Sequence, residues 1–105
     1  MNVIYKAPGC APELRDIPNT LEELQGMVGG YIETVTVCSD LCVVCNEEGR
    51  LMGMEPNVRF LGVDFVGPIL LVGVDGDEFC GLDPESCALL MRGLRAAGGE
   101  QRGTY

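Results

Sequence analysis

The spacing of apolar positions changes several times along this chain, and each change marks an element. Residues 2–6 (NVIYK) have the β-branched and aromatic content of a short strand, and residues 13–17 (ELRDI) alternate polar and apolar beyond a turn-rich break at 7–12. Leu21, Leu24, Met27 and Val28 then recur at helical spacing. Thr20 and Glu23 are placed as a capping box before them, and Gly29-Gly30 supplies the left-handed stop behind. Residues 31–37 (YIETVTV) return to strict alternation. Residues 41–45 (LCVVC) are apolar at every position, the pattern of a central strand.

Residues 46–49 (NEEG) predict a hairpin loop returning through 50–52, and residues 53–62, with Gly53, Pro56, Asn57 and Gly62, predict irregular backbone. Residues 68–74 predict a buried strand, and Asp75-Gly76 a tight hairpin into 77–80. Asp83-Pro84 opens a last helix, Asp as cap and Pro in the first turn, running to about Ala96 with Arg92 and Arg95 in its last turns. The order strands, helix, strands, helix predicts an α+β fold. We expect one domain over residues 1–97, a mostly antiparallel sheet of about five short strands, two helices covering one face, and a flexible tail at 98–105. The other face of the sheet is then solvated or used for binding.

The 105 residues suffice for one modest core, and 47% apolar content keeps the chain clear of the disordered regime despite a net charge of −9. The N-terminus has no apolar h-region, and no apolar run, 69–72 included, exceeds five residues, far short of a membrane span. A soluble, cytoplasmic chain without membrane contact is the expectation. Its six cysteines are then reduced thiols that pack as small apolar residues. There is no histidine, which removes His-based nucleophilic and acid–base catalysis and every His-containing metal site.

Three constellations invite chemistry. Cys38-x3-Cys42-x2-Cys45 has the spacing by which radical S-adenosylmethionine enzymes hold a four-iron cluster, and a structural zinc site, with Cys10, Cys80 or Cys87 as fourth ligand, is its milder version. In an extended segment, however, Cys42 and Cys45 point to opposite faces, so core thiols are the preferred reading. Asp75-Gly-Asp-Glu78 lacks the register of a calcium loop, and no phosphate-cradling glycine motif is present. Lys6, the only lysine, sits at a strand end and is expected to be a solvated edge residue; the dispersed aromatics Tyr5, Tyr31, Phe60, Phe65 and Phe79 form no base-stacking platform. We expect no enzyme, no cofactor and no direct contact with nucleic acid.

The acids themselves are the third constellation. Thirteen of the 16 lie in two stretches, 16–49 and 60–91, that contain no Lys or Arg, so the charge belongs to the folded body. Spread evenly over roughly 5,700 Å² of surface, it is several-fold sparser than the one charge per about 1.7 Å of a duplex axis. Only a local patch could imitate a polynucleotide. Asp75, Asp77, Glu78, Asp83 and Glu85 are the best candidates, with Glu47 and Glu48 as a second patch. The alternative ligand, a nucleotide signal of a defence system, has only Arg50, Arg59, Arg92 and Arg95 to hold it.

From residues 4–9 (IYKAPG) through 19–24 (NTLEEL), 28–33 (VGGYIE) and 45–50 (CNEEGR) to 66–68 (VGP) and 72–76 (VGVDG), the chain resembles a family of small acidic proteins from phages and conjugative elements, domain of unknown function family 3846. Genes of that kind often travel with antirestriction genes, and some acidic proteins of this size resemble anti-CRISPR inhibitors. The resemblance therefore implies an anti-defence protein in a bacterial host. Its partner would be the basic surface of a type II RNA-guided nuclease or its ribonucleoprotein. An accessory role without defence function is the bland alternative.

Overall fold

The computed structural model describes the backbone of residues 1–103 and the side chains of residues 1–97. Its elements, in chain order, are β1 (Asn2–Lys6), β2 (Glu13–Asp16), α1 (Leu21–Val28), β3 (Ile32–Cys38), β4 (Leu41–Asn46), β5 (Pro56–Phe60), β6 (Val63–Val66), β7 (Ile69–Asp75), β8 (Glu78–Cys80) and α2 (Pro84–Gly103). The fold is α+β. Six strands form one sheet in the order β2-β1-β7-β4-β3, with β8 pairing the end of β7, and every pairing is antiparallel. β5 and β6 make a separate two-stranded ribbon.

The two central strands explain the layering. In β4 and β7 nearly every residue is buried, so both faces of the sheet must be covered. On one face Val3, Cys42, Val44, Leu70 and Val72 meet Leu24 and Val28 of α1; on the other Ile4, Val43, Cys45, Ile69 and Leu71 meet Val58, Phe60 and Phe65 of the ribbon and Cys87 and Leu94 of α2. The helices thus lie on opposite faces, not together on one as the element order led us to expect. Alternation along β4 and β7 sends successive side chains to different cores, and each core needs its own lid.

Local chemistry sets the ends of the elements. Thr20 accepts from the Glu23 amide at 3.2 Å to start α1, and Gly29, with φ 84°, closes it. Two expectations fail in the middle of the chain. Residues 50–52 belong to a turn, not a returning strand. Residues 53–62, read as irregular, contain β5 and the tight turn into β6. That turn places Leu61 (φ 53°) and Gly62 (φ 80°) in the left-handed region, a conformation that a leucine does not advertise. The last helix runs past Ala96 to Gly103, so residues 98–103 of the expected tail have helical backbone and Arg92 and Arg95 stand mid-helix; residues 104 and 105 lie outside the described residues.

Lys6 is the clearest correction. It is 5% exposed, not solvated, and its Nζ donates to Asn57 Oδ1 at 2.8 Å. The Asn57 amide donates in turn to the carbonyls of Lys6 and Gly67, each at 2.8 Å. Asn57, itself buried, ties the ribbon to the end of β1 in the main sheet.

Candidate functional site

β4 and β7 run antiparallel with Leu41 opposite Gly73, so the β3–β4 turn and the β7–β8 hairpin share one end of the sheet. The Val74 amide donates to the Asp40 carbonyl at 2.9 Å and ties the two turns together. The hairpin loop consists of Gly76, at φ 62°, and Asp77, flanked by the Asp75–Glu78 pair; only glycine takes the first loop position without strain. From β8 the chain crosses to α2. The crossing passes so close to β7 that a Cβ at Gly73 would lie 2.9 Å from Cys80 Sγ and 3.0 Å from the Gly81 carbonyl.

The start of α2 therefore arrives at the same end. Asp83 caps it, accepting at 2.8 Å from the Ser86 amide and at 3.0 Å from the Ser86 hydroxyl. These bonds, the amide first, hold the Asp83 carboxyl below the usual aspartate range. Glu85 is exposed in the first helical turn, where the dipole favours an acid.

Five of the seven acids singled out from the sequence thus gather at one end of the sheet: Asp75, Asp77, Glu78, Asp83 and Glu85, all exposed. Asp40 joins them, and sequence reasoning missed it. Its signal was available: Ser39-Asp40 is the polar break between two apolar strands. Glu47 and Glu48 do not join. They follow Asn46 at the far end of β4, about 20 Å away for six residues of strand. There the Asn46 side chain accepts from the Glu48 amide at 2.7 Å and donates to the Val28 carbonyl at 3.1 Å, so this corner is anchored to the end of α1.

The cations are engaged by other acids. Arg15 pairs with Glu13 at 2.6 Å, Arg59 with Asp64 at 3.3 Å, and the N-terminal amine, which stands at this same end of the sheet beside Gly81, with Asp16 at 3.2 Å. Arg50 donates to the Asp64 carbonyl. Among the described residues, none of the six acids at the hairpin end takes part in an ion pair.

The cysteine reading is resolved by faces. Cys42 belongs to the core under α1 and Cys45 to the core under α2, so the sheet separates them. Cys38 is exposed and donates to the Asp40 carboxylate at 3.0 Å. Among the described residues, no three Cys, Asp or Glu side chains are grouped to hold a metal. Burial pushes the Cys42 and Cys45 thiols up, with the Glu33 charge adding to the effect at Cys45 and Arg50 opposing it. They behave as small core residues.

The comparisons bear on the whole chain. Residues 1–95 match the family described as a domain of unknown function, DUF3846. The chain belongs to this family. No curated protein and no solved structure matches it. The matched span ends within α2 and includes every acid of the hairpin end. Among the described residues, no helix is long and apolar enough to cross a membrane.

Proposed function

We propose that this DUF3846 protein is a non-enzymatic anti-defence protein of a phage or mobile element. It acts in the bacterial cytoplasm by docking its acidic end on the basic surface of a nucleic-acid enzyme. The target we favour is a type II RNA-guided nuclease, which offers motif-reading arginines and a positive heteroduplex channel. One observation carries the reading: six carboxylates gather at one end, and none is in an ion pair among the described residues. A net −9 over 6236 Å² averages one charge per about 700 Å², too sparse to imitate a duplex all round. Concentration at one end is what the mechanism requires.

The nucleotide-binding alternative gains no support from the geometry. Arg59 is paired with Asp64 and Arg50 is bonded to its carbonyl, Arg92 and Arg95 stand exposed in the middle of α2, and the groove at the hairpin end is lined by acids that repel a phosphate.

The test is titration of the purified protein into RNA-guided DNA cleavage, added before and after the guide. We expect inhibition that falls steeply between about 50 and 200 mM salt, as charge-steered association does. Inhibition insensitive to salt would exclude the acidic end as the contact. No inhibition of any such nuclease would remove the favoured target.

A further inference from the structure

A groove of about 350 Å³ opens between the β3–β4 turn, the β8 crossing and the first turns of α2. Its composition is unlike the rest of the acidic end. Leu41, Leu82, Leu89 and Leu90 give it apolar walls, and Asp40 and Asp83 line it with charge. Leu89 is 64% exposed. It stands off the stripe of Cys87, Leu90, Met91, Leu94 and Ala97 by which α2 contacts the core, so packing of this chain does not account for it.

We infer that this groove receives an arginine side chain from a protein partner, the aliphatic stem against the leucines and the guanidinium against Asp40 and Asp83. The inference rests on the docking role proposed above and names the group that the acidic end takes. The chemistry of the lining selects it. A phosphate is repelled by both carboxylates. A purely apolar side chain would strip water from them without replacing it. A lysine ammonium is a compact, strongly hydrated charge, whereas a guanidinium is planar, weakly hydrated and forked to match carboxylates, so it tolerates an apolar wall better. Both acids keep acceptor capacity for it. Asp83 is engaged by Ser86 and Asp40 by the Cys38 thiol, but each carboxylate offers about four lone-pair directions. The hydrogen bonds from Ser86 also keep Asp83 charged well into acid solution. A site near 350 Å³ is at the small end of ligand pockets, suited to one long side chain.

The test is methyl-detected NMR of the whole protein titrated with the blocked tripeptide acetyl-Gly-Arg-Gly-amide, beside its citrulline and lysine counterparts. Citrulline keeps the shape and removes the charge. We expect saturable shifts at the methyls of Leu41, Leu82, Leu89 and Leu90 with the arginine peptide, in the range of about 1–10 mM. The lysine peptide should bind several-fold more weakly, and the citrulline peptide should leave these methyls unmoved. Asp40→Asn keeps an acceptor for Cys38 and Leu89→Ala alters an exposed residue, so both variants should fold. Each should weaken the arginine peptide by about two- to fivefold, the effect of one partly screened ion pair or one trimmed apolar wall. Equal shifts with citrulline, or backbone amide shifts confined to Asp75, Asp77 and Glu78 while the leucine methyls stay still, would overturn the groove. If neutralising the hairpin acids abolished nuclease inhibition while Asp40→Asn and Leu89→Ala left it intact, the groove would fall and the docking role would stand. Saturable arginine binding by a protein that inhibits no nuclease would uphold the groove and refute that role.

Discussion

Two polar regions of this protein use charge in opposite ways. At the junction of β1 and β5, Lys6 is buried and bonded to Asn57, which spends both its amide hydrogens on carbonyls of separate segments. At the hairpin end, six carboxylates stand in solvent, bonded within their own turns or not at all. A buried charge must be matched by hydrogen bonds or it unfolds its surroundings. Exposed charges cost the fold little and remain available to a partner. The contrast separates charge that builds the molecule from charge that the molecule presents.

The largest effect should come from the buried region. Asn57→Ala removes an acceptor from a buried ammonium and a donor from two carbonyls, and should cost about 3 kcal/mol of stability in urea denaturation. Asn57→Asp should be less damaging, since the carboxylate still accepts from Lys6. If Asn57→Ala unfolds at the wild-type midpoint, the knot is ornamental and the contrast disappears.

The hairpin end should respond the other way. Replacing Asp75, Asp77, Glu78, Asp83 and Glu85 by their amides should shift stability by less than about 1 kcal/mol, because exposed charges contribute little and Asn remains a good cap at 83. The same variant should lose at least about tenfold in nuclease inhibition, equivalent to about 1.4 kcal/mol of binding. A folded variant that inhibits as well as the parent would show that these acids are a solvated surface and nothing more.

What the sequence made legible was local. The Thr20 cap, the Asp83 cap and the hairpin at Asp75-Gly76 are each set by chemistry within four residues; both caps stand in the structure, and the hairpin stands with its loop one residue on, at Gly76-Asp77. What it hid was non-local or against type. Lys6 and Asn57 are 51 positions apart, so nothing near Lys6 announces that it is buried. The β5–β6 ribbon was concealed by Pro56 at its start and by Leu61 in a left-handed turn. The placement of the helices was readable in principle. Strands as apolar as residues 41–45 and 69–72 require cover on both faces, and that requirement outweighs the element order that places both helices on one. At the candidate site, the hairpin and helix-start acids were found by density alone. Asp40 was not, since only the pairing of β4 with β7 brings it near them.

Alkaline pH offers a smaller effect that reports on the cores. Burial raises the Cys42, Cys45 and Cys87 thiols above their ordinary value near 9.0, with the Asp83 charge adding to the rise at Cys87. A group whose pKa is higher in the folded than in the unfolded chain contributes stability that is whole below the unfolded value and lost as pH rises through the folded one. Stability should therefore decline above about pH 9, and Cys42→Val with Cys45→Val should flatten that decline while changing stability at pH 7 by less than about 1.5 kcal/mol. A steep loss at neutral pH in the double variant, or zinc retained by the wild type alone, would mean that these thiols do more than fill space.

The smallest effect is expected at the far corner, and it sharpens the comparison most. Glu47 and Glu48 are as exposed as the hairpin acids and carry the same charge, yet they sit at the opposite end of β4. At about 0.15 M salt the Debye length is about 8 Å, so carboxylates about 20 Å from the docking end are screened from a partner seated there. Glu47→Gln with Glu48→Gln should change inhibition by less than about twofold at that ionic strength and by somewhat more at 10 mM, where the screening length grows to about 30 Å. Should this pair matter as much as the hairpin acids at physiological salt, the partner must span the sheet from end to end, and the functional surface would be the long edge of the molecule instead of its tip.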